Sequence, residues 1–387
     1  MSLDAWQARK AGAAYVHIPF CVSKCNYCDF NSYPGLGSLF DDYVRALILE
    51  IERAPAGMAS DGELDSVYFG GGTPTVLPPP ALASILDAIR SRLGVAPDAE
   101  ITTEANPGTV DISKFVELYA AGFNRLSLGV QSFDDEMLAA LGRVHTARQA
   151  MDAFEAAREA GFANVGIDLM FALSGQTLRH WDQTLSAAIE LSPEHISLYE
   201  LSIEEGTRFE ALRSLGRLDL PDEDTQLEMY ELAIARLKAA GFEHYEVSNF
   251  ARPGFRSRHN QVYWRNDPHF AFGAGATSYL MGERSRRPSD PNAYVQAIAA
   301  GVEAVESSER LEGRALLAET LIQGLRMLDG VDLAALSEDT GTDIAAEFAG
   351  EIGSLESEGL VRVESTQLAA THRGLLLLND VSQAFLS

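Results

Sequence analysis

Three residues in this chain have types and spacing suited to metal chemistry. Its only cysteines, Cys21, Cys25 and Cys28, fall in one short stretch with the spacing Cys-x3-Cys-x2-Cys. An odd number of thiols cannot close a full disulfide set, and clustered thiols point instead to a metal. Three thiolates can ligate three irons of a [4Fe–4S] cubane and leave the fourth iron open. An open iron can be chelated by the amino and carboxylate groups of S-adenosylmethionine, and a reduced cluster can pass an electron to its sulfonium. Zinc is the rival reading: it usually wants four protein ligands, and His17 is a fourth candidate.

Other groups must sit near this loop for it to act on a ligand. The run Gly70-Gly71-Gly72-Thr73-Pro74 lets backbone approach a ligand closely. Short apolar strands are expected at 13–18, Ser66–Phe69, Glu100–Glu104, Arg125–Val130, Asn164–Phe171 and His195–Leu201, with a seventh at Glu243–Ser248. Amphipathic helices lie between them, for example at 39–52 and Ala81–Leu93, by the 3.6-residue spacing of their apolar positions. Alternating strands and helices argue for right-handed βα units around a parallel sheet. Six or seven strands fall short of the eight of a closed barrel, so the expected fold is α/β, a partial (β/α)6 barrel. The glycine run, Glu104, Gln131, Asp168 and Glu200 all fall at or near strand ends, on the face that carries the site in such folds. Ala-Gly-Phe recurs at 121–123, 160–162 and 240–242, each time reading as a helix stop before a strand.

The pattern changes near residue 308. Helices are expected at Leu316–Leu328, Leu333–Thr340 and Ala345–Glu358, then a β pair at Leu360–Val363 and Gln367–Ala369, then Thr371–Leu386. This reads as a smaller winged-helix-like α+β domain. The expected division is a cluster-bearing barrel over 1–250, a connecting segment over 251–307 and the small domain over 308–387. Few basic residues fall in the last part, so a covering or docking role is expected of it rather than DNA binding.

The chain carries a formal charge of −26 with a pI near 4.6. That field repels phosphate backbones and anionic lipid, so nucleic acid is not an expected partner. Neither a secretory signal nor an apolar run long enough for a membrane span is visible, and a cytoplasmic location is expected, with membrane contact at most peripheral.

The cysteine motif followed by Gly70–Pro74 is the signature of radical SAM enzymes. Tyr15-Val-His-Ile-Pro-Phe-Cys21, Glu104-x-Asn106-Pro107 and Gly129-Val-Gln131-Ser132 further resemble the oxygen-independent coproporphyrinogen III oxidase family, over essentially the whole chain. Two features distinguish its branches. The true oxidases carry a fourth cysteine two residues beyond the third, where this chain has Phe30. His259-Asn260-Gln261-Val262-Tyr263-Trp264 is similar to the HNxxYW motif of the HemW haem-chaperone branch.

The resemblance implies a [4Fe–4S] cluster on Cys21, Cys25 and Cys28, and S-adenosylmethionine contacts from Tyr15, Tyr27, Gly71, Gly72, Thr73, Glu104, Gln131, Arg143 and Asp168. It implies haem as cargo, with His259 as the candidate ligand, Asn260 beside it, and Tyr263 and Trp264 packing a porphyrin face. The bland reading of that quartet is a satisfied polar loop beside core aromatics. His145, His180, His195, His244, His269 and His372 are further ligand candidates. The implied partners are haem, a haem-acceptor protein and a second copy of the chain in a homodimer. The alternative activity is radical decarboxylation of coproporphyrinogen III propionates.

Overall fold

The structure is a computed structural model that describes residues 2–386. Six parallel strands form its centre: β1 (Ala13–Ile18), β2 (Leu64–Gly71), β3 (Val95–Ala105), β4 (Arg125–Gln131), β5 (Asn164–Phe171) and β6 (His195–Glu200). They lie side by side in chain order, each pair in parallel register. Helices connect them: α1 (Phe40–Arg53), α2 (Pro79–Leu93), α3 (Ile112–Ala120), α4 (Ala147–Glu159) and α5 (Leu178–Leu191).

Alternation along each strand separates two environments. Val16, Val67, Phe69, Leu126, Leu128, Ile167 and Leu169 are fully buried in the apolar layer beneath the helices. Their neighbours on the opposite face are polar: Tyr15, Tyr68, Glu104, Ser127 and Asp168. The sheet therefore curves around a polar lumen, as an open barrel does.

The sheet is longer than the six strands. After α6 (Glu223–Ala239), β7 (Glu243–Glu246) and β8 (Asn249–Ala251) form a hairpin whose second strand pairs antiparallel with β6. Part of the expected seventh strand is therefore present, but at the far edge. Residues 251–307, expected as a connecting segment, supply two helices, α7 (Arg258–Trp264) and Pro291–Ala299, and the strands β9 (His269–Phe272), β10 (Thr277–Leu280) and β11 (Glu283–Arg286), with β12 (Ser307–Arg310) starting at their end. β9 pairs parallel with β1, and the rest follow antiparallel to give an open twelve-stranded sheet. These strands are only four residues long, and β11 and β12 are wholly polar, so periodicity alone does not reveal them.

The three Ala-Gly-Phe stops share one geometry. Gly122, Gly161 and Gly241 have φ of 97°, 105° and 85°, and the amides of Phe123, Phe162 and Phe242 bond back to Leu118, Ala157 and Leu237. This is the six-to-one bond of a Schellman cap, and each phenylalanine is then buried at the following junction.

The small C-terminal domain has its own core, which includes Leu316, Leu321, Phe348, Leu368 and Phe385. Trp6, from the helix Leu3–Gln7, is buried in the same core, so the chain's first helix fastens the two domains together. The expected helix at Leu316–Leu328 runs instead over Gly313–Gly324. The one expected over Ala345–Glu358 is two, Ile344–Glu347 and Ala349–Ser357, broken where Phe348 leaves helical geometry at ψ 23°. The last segment is likewise split at Leu377. The expected β pair gains a third strand, Val331–Asp332. Among the described residues no helix is long and apolar enough to cross a membrane.

Candidate functional site

The cysteine loop leaves β1 at the barrel mouth. Phe20–Cys21 pairs with Tyr33–Pro34, which closes the loop at its base. Its far side is held by backbone: the Asn26 amide donates to the Leu141 carbonyl at 2.9 Å, and the Phe209 amide donates to the Asn26 carbonyl at 2.9 Å. Asn31 Nδ2 donates to the carbonyls of Ala274 and Ser289, both at 3.0 Å. The loop is thus tied to four parts of the chain.

All three cysteines are free and half-buried. The glycine run lies directly under them. Gly72 N–H donates to the Ile18 carbonyl at 2.9 Å and Thr73 N–H to the Phe20 carbonyl at 2.8 Å. Thr73 Oγ1 is 3.7 Å from Cys21 Sγ, and Ser32 Oγ is 3.9 Å from Cys28 Sγ. Arg143 donates to the Gly129 carbonyl, and its Nη1 lies 3.5 Å from Cys25 Sγ. Burial pushes the Cys21 and Cys28 thiols up, opposed by the hydroxyls beside them. A cation or metal charge is what would favour these thiolates.

Gly71 is the position where only glycine fits: its φ is 114°, and an added Cβ would lie 2.5–2.9 Å from the His17 ring. His17 has both ring nitrogens engaged, Nδ1 at 3.0 Å from Tyr15 Oη and Nε2 at 2.9 Å from the Asn31 carbonyl. It is thus a strut between strand and loop, engaged at both nitrogens rather than turned to the thiols. Among the described residues, no group of three or more His, Cys, Asp or Glu side chains is placed to hold one metal ion. A cubane differs in placing its three thiolates at separate corners.

Below the thiols the lumen is polar and partly unpartnered. Glu104 accepts from Tyr68 Oη at 2.8 Å and from Gly71 N–H at 3.2 Å. Burial holds its carboxyl up to about 7, with Asp168 pushing the same way and Tyr68, Gly71 and Arg125 opposing. Asp168 accepts from Ser127 Oγ at 3.1 Å, and burial raises it too. Gln131 Oε1 and Arg143 Nε are buried with no hydrogen-bond partner, and Gln131 takes φ 67°, rare for a residue with a side chain. Tyr27 packs against the cluster of Met137, Leu141, Met170, Leu173, Leu201 and Phe209 beside the mouth. The fold therefore brings Tyr15, Tyr27, Gly71, Gly72, Thr73, Glu104, Gln131, Arg143 and Asp168 to one end of one barrel, together with the cysteines. Orphaned polar groups there fit a polar, zwitterionic ligand, and three free thiols over an open mouth fit an iron–sulfur cluster.

The HNxxYW segment adjoins this site from the other side, with the His259 ring centroid 6.4 Å from that of Tyr15. It forms α7, which packs at the opposite end of the lumen. The carboxylate of Glu100 accepts from the Arg258 and His259 amides, both at 3.1 Å, and so caps that helix. His259 is 1 % exposed; its Nδ1 is 3.0 Å from Ser66 Oγ and its Nε2 is 2.9 Å from Tyr263 Oη. Burial lowers its basicity well below the ordinary range. Both ring nitrogens of the haem-ligand candidate His259 are thus engaged in this conformation. Asn260 and Trp264 are half-buried, and the Arg326 guanidinium covers the Trp264 ring at 4.3 Å. His145, His195, His244 and His269 are each hydrogen-bonded within the fold. His372 is exposed and 2.6 Å from Glu231, and His180 is half-buried.

Sequence reasoning missed two residues. Glu100 and Ser66 hold the motif helix and its histidine, but a lone carboxylate and a serine on strands carry no motif. Their only signal is polarity at lumen-facing positions of otherwise apolar strands.

Comparison with known proteins fits this geometry. The Radical SAM superfamily profile matches residues 15–188 and the HemN C-terminal domain profile residues 311–377. Heme chaperone HemW of Bacillus subtilis is 38% identical over 375 residues, 97% of this chain and 99% of that protein. Heme chaperone HemW of Escherichia coli is 35% identical, over 96% of this chain and 97% of that one. Among solved structures, the coproporphyrinogen III oxidase HemN of Escherichia coli, a radical SAM enzyme, superposes with a TM-score of 0.84 at 26% identity, covering 99% of this chain and 92% of that one. With the cysteine loop, the glycine run and the small C-terminal domain all in place, the chain belongs to the HemW haem-chaperone family of radical SAM proteins.

Proposed function

We propose that this protein is a cytoplasmic haem chaperone that binds haem and passes it to an acceptor protein. It carries a [4Fe–4S] cluster on Cys21, Cys25 and Cys28 and an exchangeable S-adenosylmethionine. The observation that carries the choice is Phe30. Where the oxidase branch has a fourth cysteine, this chain places an apolar ring that is 65 % exposed on the outer side of the loop. The relatives named heme chaperone HemW support the same choice.

When bound, the cluster supplies an open iron for chelation and an electron. The chain's own residues then position the ligand. Gly71 and Gly72 admit it close to backbone, Glu104 accepts from its ammonium group, and Asp168 accepts from ribose hydroxyls. Arg143 pairs with its carboxylate through the donor left free, and Gln131 both donates and accepts. Haem binding is assigned to the α7 side, where His259 must first exchange Ser66 or Tyr263 for iron.

Anaerobic titration of the reconstituted protein with haem tests this: a saturable Soret change supports it, and its absence counts against it. The superposition on HemN favours one second reading, radical decarboxylation of coproporphyrinogen III. Formation of protoporphyrinogen from that substrate, with S-adenosylmethionine and a strong reductant, would establish it.

A further inference from the structure

A cavity of about 510 Å³ opens beside α7, between that helix, the segment before β1 and the start of β2. Its charge runs against that of the protein. The chain carries 56 acidic and 30 basic residues, yet four basic side chains line this cavity against two acidic ones, Asp65 and Asp267. Two of the four are committed: Arg9 Nη1 lies 2.9 Å from Asp267, and Arg258 lies 3.7 Å from Asp65. The other two form no direct ion pair, although Asp267 also feels the charge of Arg265. Arg265 donates only to the amide oxygen of Gln261, at 3.0 Å, and Lys10 is exposed with no hydrogen bond or ion pair to any described residue.

The inner wall of the cavity includes Ser66, whose Oγ is 3.0 Å from His259 Nδ1. Gln261 and Val262, on the same helix as His259, form the adjoining wall. An anionic group held here is one side chain away from the motif histidine. Two cations outside any direct ion pair, one a point charge and one a planar fork, suit two carboxylates on short flexible arms.

We propose that this cavity receives the two propionates of haem, with Lys10 and Arg265 as their partners. This rests on the haem-chaperone reading and deepens it by naming the groups that recognise the porphyrin edge. The porphyrin plane then lies along α7, and the Ser66 hydroxyl is the contact that gives way when His259 engages iron. Asp65 and Asp267, which line the same cavity, oppose the propionates.

The test uses full-length, cluster-reconstituted protein, titrated anaerobically with haem and separately with haem dimethyl ester, whose carboxylates are masked. Wild type is expected to bind haem more tightly than the ester. The double variant Lys10→Ala, Arg265→Ala is expected to lose about five- to tenfold in haem affinity, the scale of two partly exposed charge pairs, and nothing for the ester. Both positions are exposed, so the core is spared. Asp65→Asn is expected to tighten haem and leave the ester unchanged. Unchanged haem affinity in the double variant, or an equal loss for haem and ester, overturns the assignment while leaving the chaperone reading intact. If wild type binds neither porphyrin, the chaperone reading itself fails and this assignment falls with it.

Discussion

The imidazole of His259 stacks on the ring of Tyr68, with centroids 5.1 Å apart and planes 24° from parallel. The Tyr68 hydroxyl in turn donates to Glu104, whose carboxylate also holds Gly71 N–H. One tyrosine therefore touches both the motif histidine at one end of the lumen and the carboxylate beneath the cysteine loop at the other. Tyr68→Phe removes one hydrogen bond to Glu104 and keeps the stack. It is expected to cost about 1–2 kcal/mol of stability and to push the Glu104 carboxyl further up. Thermal unfolding and the pH dependence of S-adenosylmethionine binding check the two effects.

Glu104 makes binding depend on pH. Its carboxyl is held near 7 by burial, so it is largely protonated below that value. A protonated carboxyl cannot serve an ammonium group as an anionic acceptor. Affinity for S-adenosylmethionine is expected to fall up to tenfold per pH unit below 7 and to level off above it, with Glu104→Gln abolishing the slope. Stability runs the other way. The folded state holds its proton above the ordinary 4.5, so Glu104 favours folding below that value, and this contribution is lost as pH rises from about 4.5 to about 7. Glu246, fully buried and also raised to about 7, adds to the same trend. Melting of the apo-protein across that window is the check.

The cysteines and His17 separate cluster from zinc. Replacing any one of Cys21, Cys25 or Cys28 with alanine is expected to abolish stable iron and sulfide incorporation. His17→Gln, which removes only a strut between Tyr15 and the Asn31 carbonyl, is expected to keep the full iron and sulfide count. Analysis of anaerobically reconstituted variants decides this. A loss of bound metal in His17→Gln, with zinc in the wild type, would reverse the assignment.

His259→Ala is expected to destabilise the apo-protein by about 2–4 kcal/mol, because it opens a hole beside Tyr68 and strands the Ser66 and Tyr263 hydroxyls. Haem loss in this variant is interpretable only beside its melting curve. His259→Gln retains a polar partner and is expected to melt closer to wild type while still losing haem iron ligation.

Much of the site was readable in the chain itself. The cysteine spacing, the glycine run and the polar residues at strand ends are local signals, and the parallel register of β1–β6 gathers them at one mouth. The Schellman stops were readable for the same reason: Ala-Gly-Phe encodes its own backbone. His259 shows the limit. Its motif was legible, but its burial was not, because it depends on Ser66 and Glu100 from strands about 160–190 residues earlier in the chain. The four short strands β9–β12 were hidden in a similar way, since they owe their strand state to pairing with β1 and with one another rather than to any apolar alternation.

The most direct measurement is an anaerobic haem titration of the cluster-loaded protein, followed in the same sample by a coproporphyrinogen III assay with S-adenosylmethionine and reductant. A haem chaperone gives a saturable Soret change near one haem per chain and no protoporphyrinogen. Turnover of coproporphyrinogen III without saturable haem binding would contradict it and make the chain an oxidase.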